Sequence, residues 1–202
     1  MYPIEKIMGR LSNKMFIMAA WYAHCKVNSI PFFAQDEKYF EGFEDEIKAM
    51  YSVGINPNSM PFVAIHRRLG KNPVNPDEPA YNENPFYVDL GHHEHEKLED
   101  NYFMRAMALF PEDTNFMVFS DDIEKAKKEP MFQGEKFQFS VGDEISDMNN
   151  MASCRGIIGS NSSFSWWAAY LSGAEKIIFP KKWFSNPNDE QFIGIPKQWI
   201  RI

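Results

Sequence analysis

The sequence predicts an α/β protein: a doubly wound parallel sheet forming a nucleotide-binding domain over residues 58–202, preceded by a reduced lobe over residues 1–57. Three observations point there. Short runs such as Phe116-Met117-Val118-Phe119 are apolar without polar alternation, as in strands buried on both faces. Segments with helical periodicity, roughly 8–14 residues long, lie between those runs and have crossover length. The composition, 44% apolar and 24% charged over 202 residues, is that of an ordinary globular domain and excludes disordered, collagen-like and low-complexity chains.

The elements follow in order. Gly9-Arg10-Leu11-Ser12-Asn13 reads as a turn, with Ser12 or Asn13 able to cap the helix behind it. Met15, Met18, Ala19, Tyr22 and Cys25 fall on one face of that helix, and Asn28 stops it. Ile30-Pro31-Phe32-Phe33 is strand-like, residues 41–51 form a small helix, and residues 54–58 are a linker. The apolar strand Pro61–Ile65 then runs into His66-Arg67-Arg68. Residues 70–85, punctuated by Pro73, Pro76, Pro79 and Pro85, form a long loop. A helix over 97–110 turns Phe103, Met107 and Phe110 inward and stops at Pro111. A strand over 116–119 leads through Ser120-Asp121-Asp122, a capping sequence, into a helix over 123–128. Residues 136–141 are a strand, 145–153 a helix and 156–158 a strand. Residues 159–163 are a turn, 164–171 a helix closed by Gly173, and 176–180 the last clear strand.

Charge and cysteine usage narrow the function. Lys+Arg 21 against Asp+Glu 28 gives a net charge of −7, the wrong sign for a protein that coats duplex nucleic acid. Cys25 and Cys154 are too few for a disulfide framework and read as buried thiols of a reducing compartment. No apolar run approaches the ~18 residues of a membrane span, and the start Met1-Tyr2-Pro3-Ile4-Glu5-Lys6 is not that of a signal peptide, so a cytoplasmic location is expected.

Ligands of open parallel sheets bind beyond the carboxyl ends of the strands. Three strand ends carry unusual residues. At His66-Arg67-Arg68, planar guanidiniums suit a diphosphate; the alternative is an arginine pair bridged to nearby acids. At Ser120-Asp121-Asp122, a carboxylate can accept from a ribose or a base; the alternative is helix capping by Ser120 or Asp121. At Gly159-Ser160-Asn161-Ser162-Ser163, backbone amides, hydroxyls and a helix N-terminus favour an anion, although the turn is neither a Walker loop nor a Gly-x-Gly-x-x-Gly fingerprint. The alternative there is a capped core helix with Trp166 and Trp167 as packing residues. His92-His93-Glu94-His95-Glu96 lacks the spacing of a helical zinc site and reads as a solvated stretch.

Several segments, in order, resemble glycosyltransferase family 11, the α-1,2-fucosyltransferases. Gly9-Arg10-Leu11-Ser12-Asn13-Lys14-Met15-Phe16 resembles the Gly-x-Leu-Gly-Asn-Gln-Met-Phe opening. His66-Arg67-Arg68 resembles the His-x-Arg-Arg-x-Asp motif, with Leu69 at the second arginine and Lys71 at the acid. Phe119-Ser120-Asp121-Asp122 is similar to Phe-Ser-Asp-Asp. Ser160 to Leu171 resembles the Asn-Ser-Thr-Phe-Ser-Trp-Trp block, and Pro180-Lys181-Lys182-Trp183-Phe184 the Pro-Lys-x-Trp-Phe close.

The resemblance implies a two-lobed GT-B-like fold. It also implies inverting transfer of L-fucose from GDP-β-L-fucose to a glycan hydroxyl, with no cofactor and no required metal. It puts Arg68 on the donor diphosphate with His66 beside it. Asp121 falls near the nucleotide, and Ser162, Ser163 and Phe164 around the phosphates and base. Asn13 faces the cleft from the opposite lobe. No general base stands out; Asp77, Glu78, Glu83 and Asp89 are candidates only as acids after the His-Arg strand. Only 50 positions separate Phe16 from His66, shorter than in the family. The alternative function is therefore a GDP-sugar- or glycan-binding module without turnover.

Overall fold

The computed structural model describes residues 15, 19, 44–52, 54–69, 98–188 and 194–202. Its elements are helix α1 (Glu44–Tyr51), strand β1 (Met60–Arg67), α2 (Asp100–Met107), β2 (Phe116–Ser120), α3 (Ile123–Ala126), a 3-10 turn (Pro130–Phe132), β3 (Phe137–Phe139), α4 (Glu144–Ala152), β4 (Cys154–Ile158), α5 (Ser163–Leu171), β5 (Lys176–Phe179) and β6 (Ile200–Arg201).

The strands form one six-stranded sheet in the order β3-β2-β1-β4-β5-β6. Every adjacent pair is parallel. This is the doubly wound order, and chain direction across the sheet reverses between β1 and β4, where such sheets open a crevice for ligands. Val63 pairs with both Phe116 and Gly156, and Ile65 with both Val118 and Ile158, so β1 is the central strand.

The period of two along β1 sorts its side chains between two cores. Val63 and Ile65 enter a cluster with Tyr102, Phe103 and Ala106 of α2, Ala126 of α3, and Phe132. Ala64 enters a cluster with Met148 and Met151 of α4 and Trp166, Trp167 and Ala168 of α5. Helices thus cover both faces, which is why the central strands are apolar over most of their length. Trp166 and Trp167 are fully buried and meet edge-on at 5.2 Å between ring centres, so the packing role expected of them holds.

Met15 and Ala19, on the face predicted for the first helix, are buried in the α4–α5 cluster. From the same N-terminal segment, Tyr51 of α1 meets the Trp167 ring edge-on at 5.3 Å and donates its hydroxyl to the Met15 carbonyl at 3.1 Å. Met18, Tyr22, Cys25 and the strand expected at residues 30–33 lie outside the described residues.

The structure differs from the sequence expectations at several ends. β1 extends through His66 and Arg67, because both backbones continue the ladder to Phe119 and Ser120. β4 begins at Cys154, two residues before the apolar signal, where Met60 pairs with it across an irregular register. β6 was not expected; Ile200 and Arg201 are exposed and pair with Ile178 and Phe179 at the sheet edge. Helix α3 is capped by Asp122, whose carboxylate accepts from the Lys125 amide at 3.2 Å, not by Ser120 or Asp121.

Candidate active site

The carboxyl ends of β1, β2 and β4 meet at one edge of the sheet. Alternation along β1 turns His66 towards α5 and Arg67 to the opposite face. The two neighbours therefore enter different chemistry.

Arg67 is a structural clasp. Its Nε donates to Glu129 Oε2 at 2.9 Å, its Nη2 lies 2.7 Å from Glu129 Oε1, and Nη1 donates to the Leu98 carbonyl at 3.3 Å. Its guanidinium lies 5.0 Å from the centre of the Phe103 ring. Arg67 thus takes the acid-bridged alternative, partly buried with its side chain 11% exposed, and Arg68 beyond it is bridged to an acid as well.

Arg68 stands just beyond the strand, with Nη1 2.7 Å from Asp121 Oδ2. The other oxygen of Asp121 accepts from the Leu69 amide at 2.8 Å. One carboxylate at the end of β2 thus fixes both the arginine and the chain leaving β1. Asp121 is absorbed by neither a helix cap nor solvent.

His66 is 4% exposed, and its Nδ1 lies 2.8 Å from the Ser160 hydroxyl. Its ring packs against Phe164 at 5.4 Å. The end of β1 is thereby tied to the turn after β4.

That turn is closed by its own small residues. The Ser162 amide donates to the Ser160 carbonyl at 2.8 Å. The Ser165 hydroxyl reaches the Ser160 and Ser162 carbonyls at 3.0 and 3.1 Å. Ser162 is the N-cap of α5, its hydroxyl accepting from the Phe164 amide at 3.3 Å. The positive end of the α5 dipole therefore opens at Ser162 and Ser163. Asn161 donates to the Trp183 carbonyl at 3.0 Å, joining the serine turn to the Pro180–Phe184 segment. Gly159 is required by contact: a Cβ there would come within 2.3 Å of the Phe179 ring, itself stacked between Trp183 and Trp199.

Beside Asp121, a depression of about 260 Å³ lies beyond β2 and β3, lined by Ser120, Asp121, Asp122, Ser140, Gly142 and Asp147. The Ser140 hydroxyl lies 2.5 Å from Asp147 Oδ1. Burial raises the Asp147 carboxyl above its ordinary value, partly offset by that hydroxyl. A larger cleft, about 520 Å³ and lined by Phe116, Lys136 and Phe137, lies at the opposite, amino ends of β2 and β3, away from this edge.

The structure thus brings His66, Arg68, Asp121, Ser162, Ser163 and Phe164 to one edge. Asn13, Lys71, Asp77, Glu78, Glu83, Asp89 and the His92–Glu96 stretch lie outside the described residues. Among the described residues no cluster of three His, Cys, Asp or Glu side chains could hold a metal ion, and no helix is long and apolar enough to cross a membrane. Sequence reasoning missed the Ser160 partner of His66 and Tyr102, whose hydroxyl donates to the Gly159 carbonyl at 2.6 Å. The only signal for Tyr102 was its place beside the inward-facing Phe103.

Comparison with known proteins bears on the family to which the chain belongs. The chain is 28% identical over 208 aligned residues to an alpha-1,2-colitosyltransferase of Escherichia coli, covering 98% of this chain and 66% of the relative. It is 33% identical over 118 residues to the O-antigen biosynthesis glycosyltransferase WbnK of Escherichia coli, covering 54% of this chain and 38% of that protein. The chain therefore spans less than two thirds of either relative's length. No solved structure matches it. Residues 87–202, more than half the chain and including β2 to β6, match the profile of glycosyl transferase family 11, and the chain belongs to that family.

Proposed function

We propose that the edge formed by β1, β2 and β4 binds the diphosphate of a GDP-sugar, and that the protein transfers L-fucose from GDP-β-L-fucose to a glycan hydroxyl with inversion. The observation that carries the reading is the 2.8 Å link between His66 and Ser160, which holds the Arg68 strand end against the serine turn. Arg68 carries planar N–H donors matched to phosphate oxygens, and Asp121 orients it. The start of α5 adds amides and a partial positive charge on the other side of the same site.

In the reaction, an acceptor oxygen attacks the sugar C1 while the bond from C1 to the β-phosphate oxygen breaks. The electron pair leaves on GDP. Arg68 and the 160–164 turn stabilise the charge that builds there, which is where preorganised donors accelerate transfer most. The proton of the acceptor hydroxyl passes to a general base, for which the carboxylates of Asp77 and Glu78 are the proposed candidates. The nucleoside lies over β2 and β3, where Asp121, Asp122, Ser140 and Asp147 offer acceptors to base and ribose. A partner lobe completing a GT-B-like arrangement, with Asn13 facing the cleft, belongs to the same proposal.

The test is a thermal-shift screen of nucleotides and nucleotide sugars, followed by radiolabelled transfer from GDP-fucose and from a colitosyl donor, after the relative's name. Stabilisation by GDP with transfer to a glycan supports the reading; stabilisation without transfer supports a binding module. No response to any guanosine diphosphate refutes both.

A further inference from the structure

We infer that Tyr102 is a positioning residue for the serine turn, acting through the Gly159 carbonyl on the Ser160 hydroxyl that engages His66. Its ligand consequence rests on the reading above; its geometry does not.

Tyr102 approaches from α2, on the face of the sheet opposite α5. Its hydroxyl lies 2.6 Å from the Gly159 carbonyl and 3.3 Å from that of Ile178. The Gly159 amide donates to the same Ile178 carbonyl at 2.8 Å. The residue joining strand to turn is thus held at both its amide and its carbonyl. This restraint matters because glycine is the most permissive backbone in the chain, and Gly159 cannot be exchanged for a stiffer residue against the Phe179 ring.

The next peptide unit is planar, so fixing the Gly159 carbonyl fixes the direction in which Ser160 leaves it. Ser160 carries the load of the site: its hydroxyl meets His66, and its carbonyl accepts from the Ser162 amide and the Ser165 hydroxyl. Rotation at Gly159 would carry the whole turn with it.

The phenol suits the role. Tyr102 is 3% exposed and meets Phe103 edge-on at 4.9 Å, so a phenylalanine would satisfy the packing and only the hydroxyl calls for tyrosine. Burial raises its pKa well above 10.0, against a smaller opposing effect of Arg105, so it remains a donor at every pH of interest.

The experiment compares Tyr102→Phe with wild type and with Phe132→Leu, a control in the same cluster. Nitrogen NMR of the His66 ring and the Ser160 amide is recorded without ligand, and GDP affinity by calorimetry. The expected result is a displacement of the His66 ring-nitrogen and Ser160 amide signals in Tyr102→Phe only, with a GDP Kd about tenfold weaker. Both variants lose thermal stability. Unchanged His66 and Ser160 signals in Tyr102→Phe would overturn the inference and leave the tyrosine as packing. If wild type binds no GDP, the nucleotide reading fails, while the ligand-free spectra still decide the positioning role.

Discussion

The adjacent arginines at the end of β1, Arg67 on the strand and Arg68 just beyond it, should fail in opposite ways when truncated. Arg67→Met keeps an apolar stem over Phe103 but removes the bidentate partner of Glu129. The side chains of Arg67 and Glu129 are 11% and 15% exposed, so Glu129 is left largely buried and unpaired. Breaking a fully buried pair costs about 3–5 kcal/mol, and partial solvent access here reduces that to about 2–3 kcal/mol. The second contact, to Asp100, adds little because that carboxylate is 61% exposed. In a chain of this size the melting temperature should fall by roughly 5–10 °C. Arg68→Met removes a more accessible pair, with the arginine 27% exposed, and should cost about 1 kcal/mol or less. Urea unfolding followed by tryptophan fluorescence gives the stability and calorimetry the GDP affinity. The account requires Arg67→Met to lose stability yet bind GDP, and Arg68→Met to stay folded yet lose binding. A loss below about 0.5 kcal/mol for Arg67→Met, or equal GDP affinities for the two variants, would refute it.

Further predictions concern packing and protons. Gly159→Ala drives a methyl into the Phe179 ring, which Trp183 and Trp199 hold in place, and should cost about 1–3 kcal/mol in chemical denaturation; wild-type stability would contradict the contact. Burial pushes the Cys154 thiol from its ordinary 9.0 to about 12, and Tyr51 from 10.0 to about 12. The folded state then keeps protons that the unfolded chain releases. Their contribution to stability should be full below pH 9 and lost towards pH 12, and Cys154→Ala should flatten that decline. In a Cys25→Ser background, Cys154 should react with thiol reagents only as fast as the protein opens; rapid labelling at pH 8 would show that the thiol is not buried. Asp147 has a carboxyl raised by burial, so its ionised form is disfavoured in the fold. Asp147→Asn should stabilise the protein at pH 7, with the gain shrinking as pH falls towards 3.8; a loss at pH 7 that grows with pH would reverse the sign.

Much of the fold was legible in the chain because a parallel sheet leaves a plain mark. Phe116–Phe119 and Ile177–Phe179 are apolar on both faces, and both are strands here. Six residues of Ser163–Leu171 are buried, as the unbroken small and aromatic run suggests. Strand β6 was not legible, since two exposed residues carry no periodicity and are placed by pairing with Ile178 and Phe179. The site was legible at its strand ends but not in its pairings. Neighbours such as Arg67 and Arg68 look alike in a sequence, and only the alternation of β1 sends one to Glu129 and leaves the other beside Asp121. Contacts such as Tyr102 to Gly159 and Asn161 to Trp183 span 57 and 22 positions, and no local signal encodes them.

The most direct check of the central claim is phosphorus NMR of GDP added to wild type, to Arg68→Ala and to Ser162→Ala. The account predicts that both phosphate resonances shift with wild type, that Arg68→Ala abolishes the shift, and that Ser162→Ala weakens it. Identical phosphate shifts with all three proteins would contradict a shared diphosphate grip by the β1 end and the start of α5.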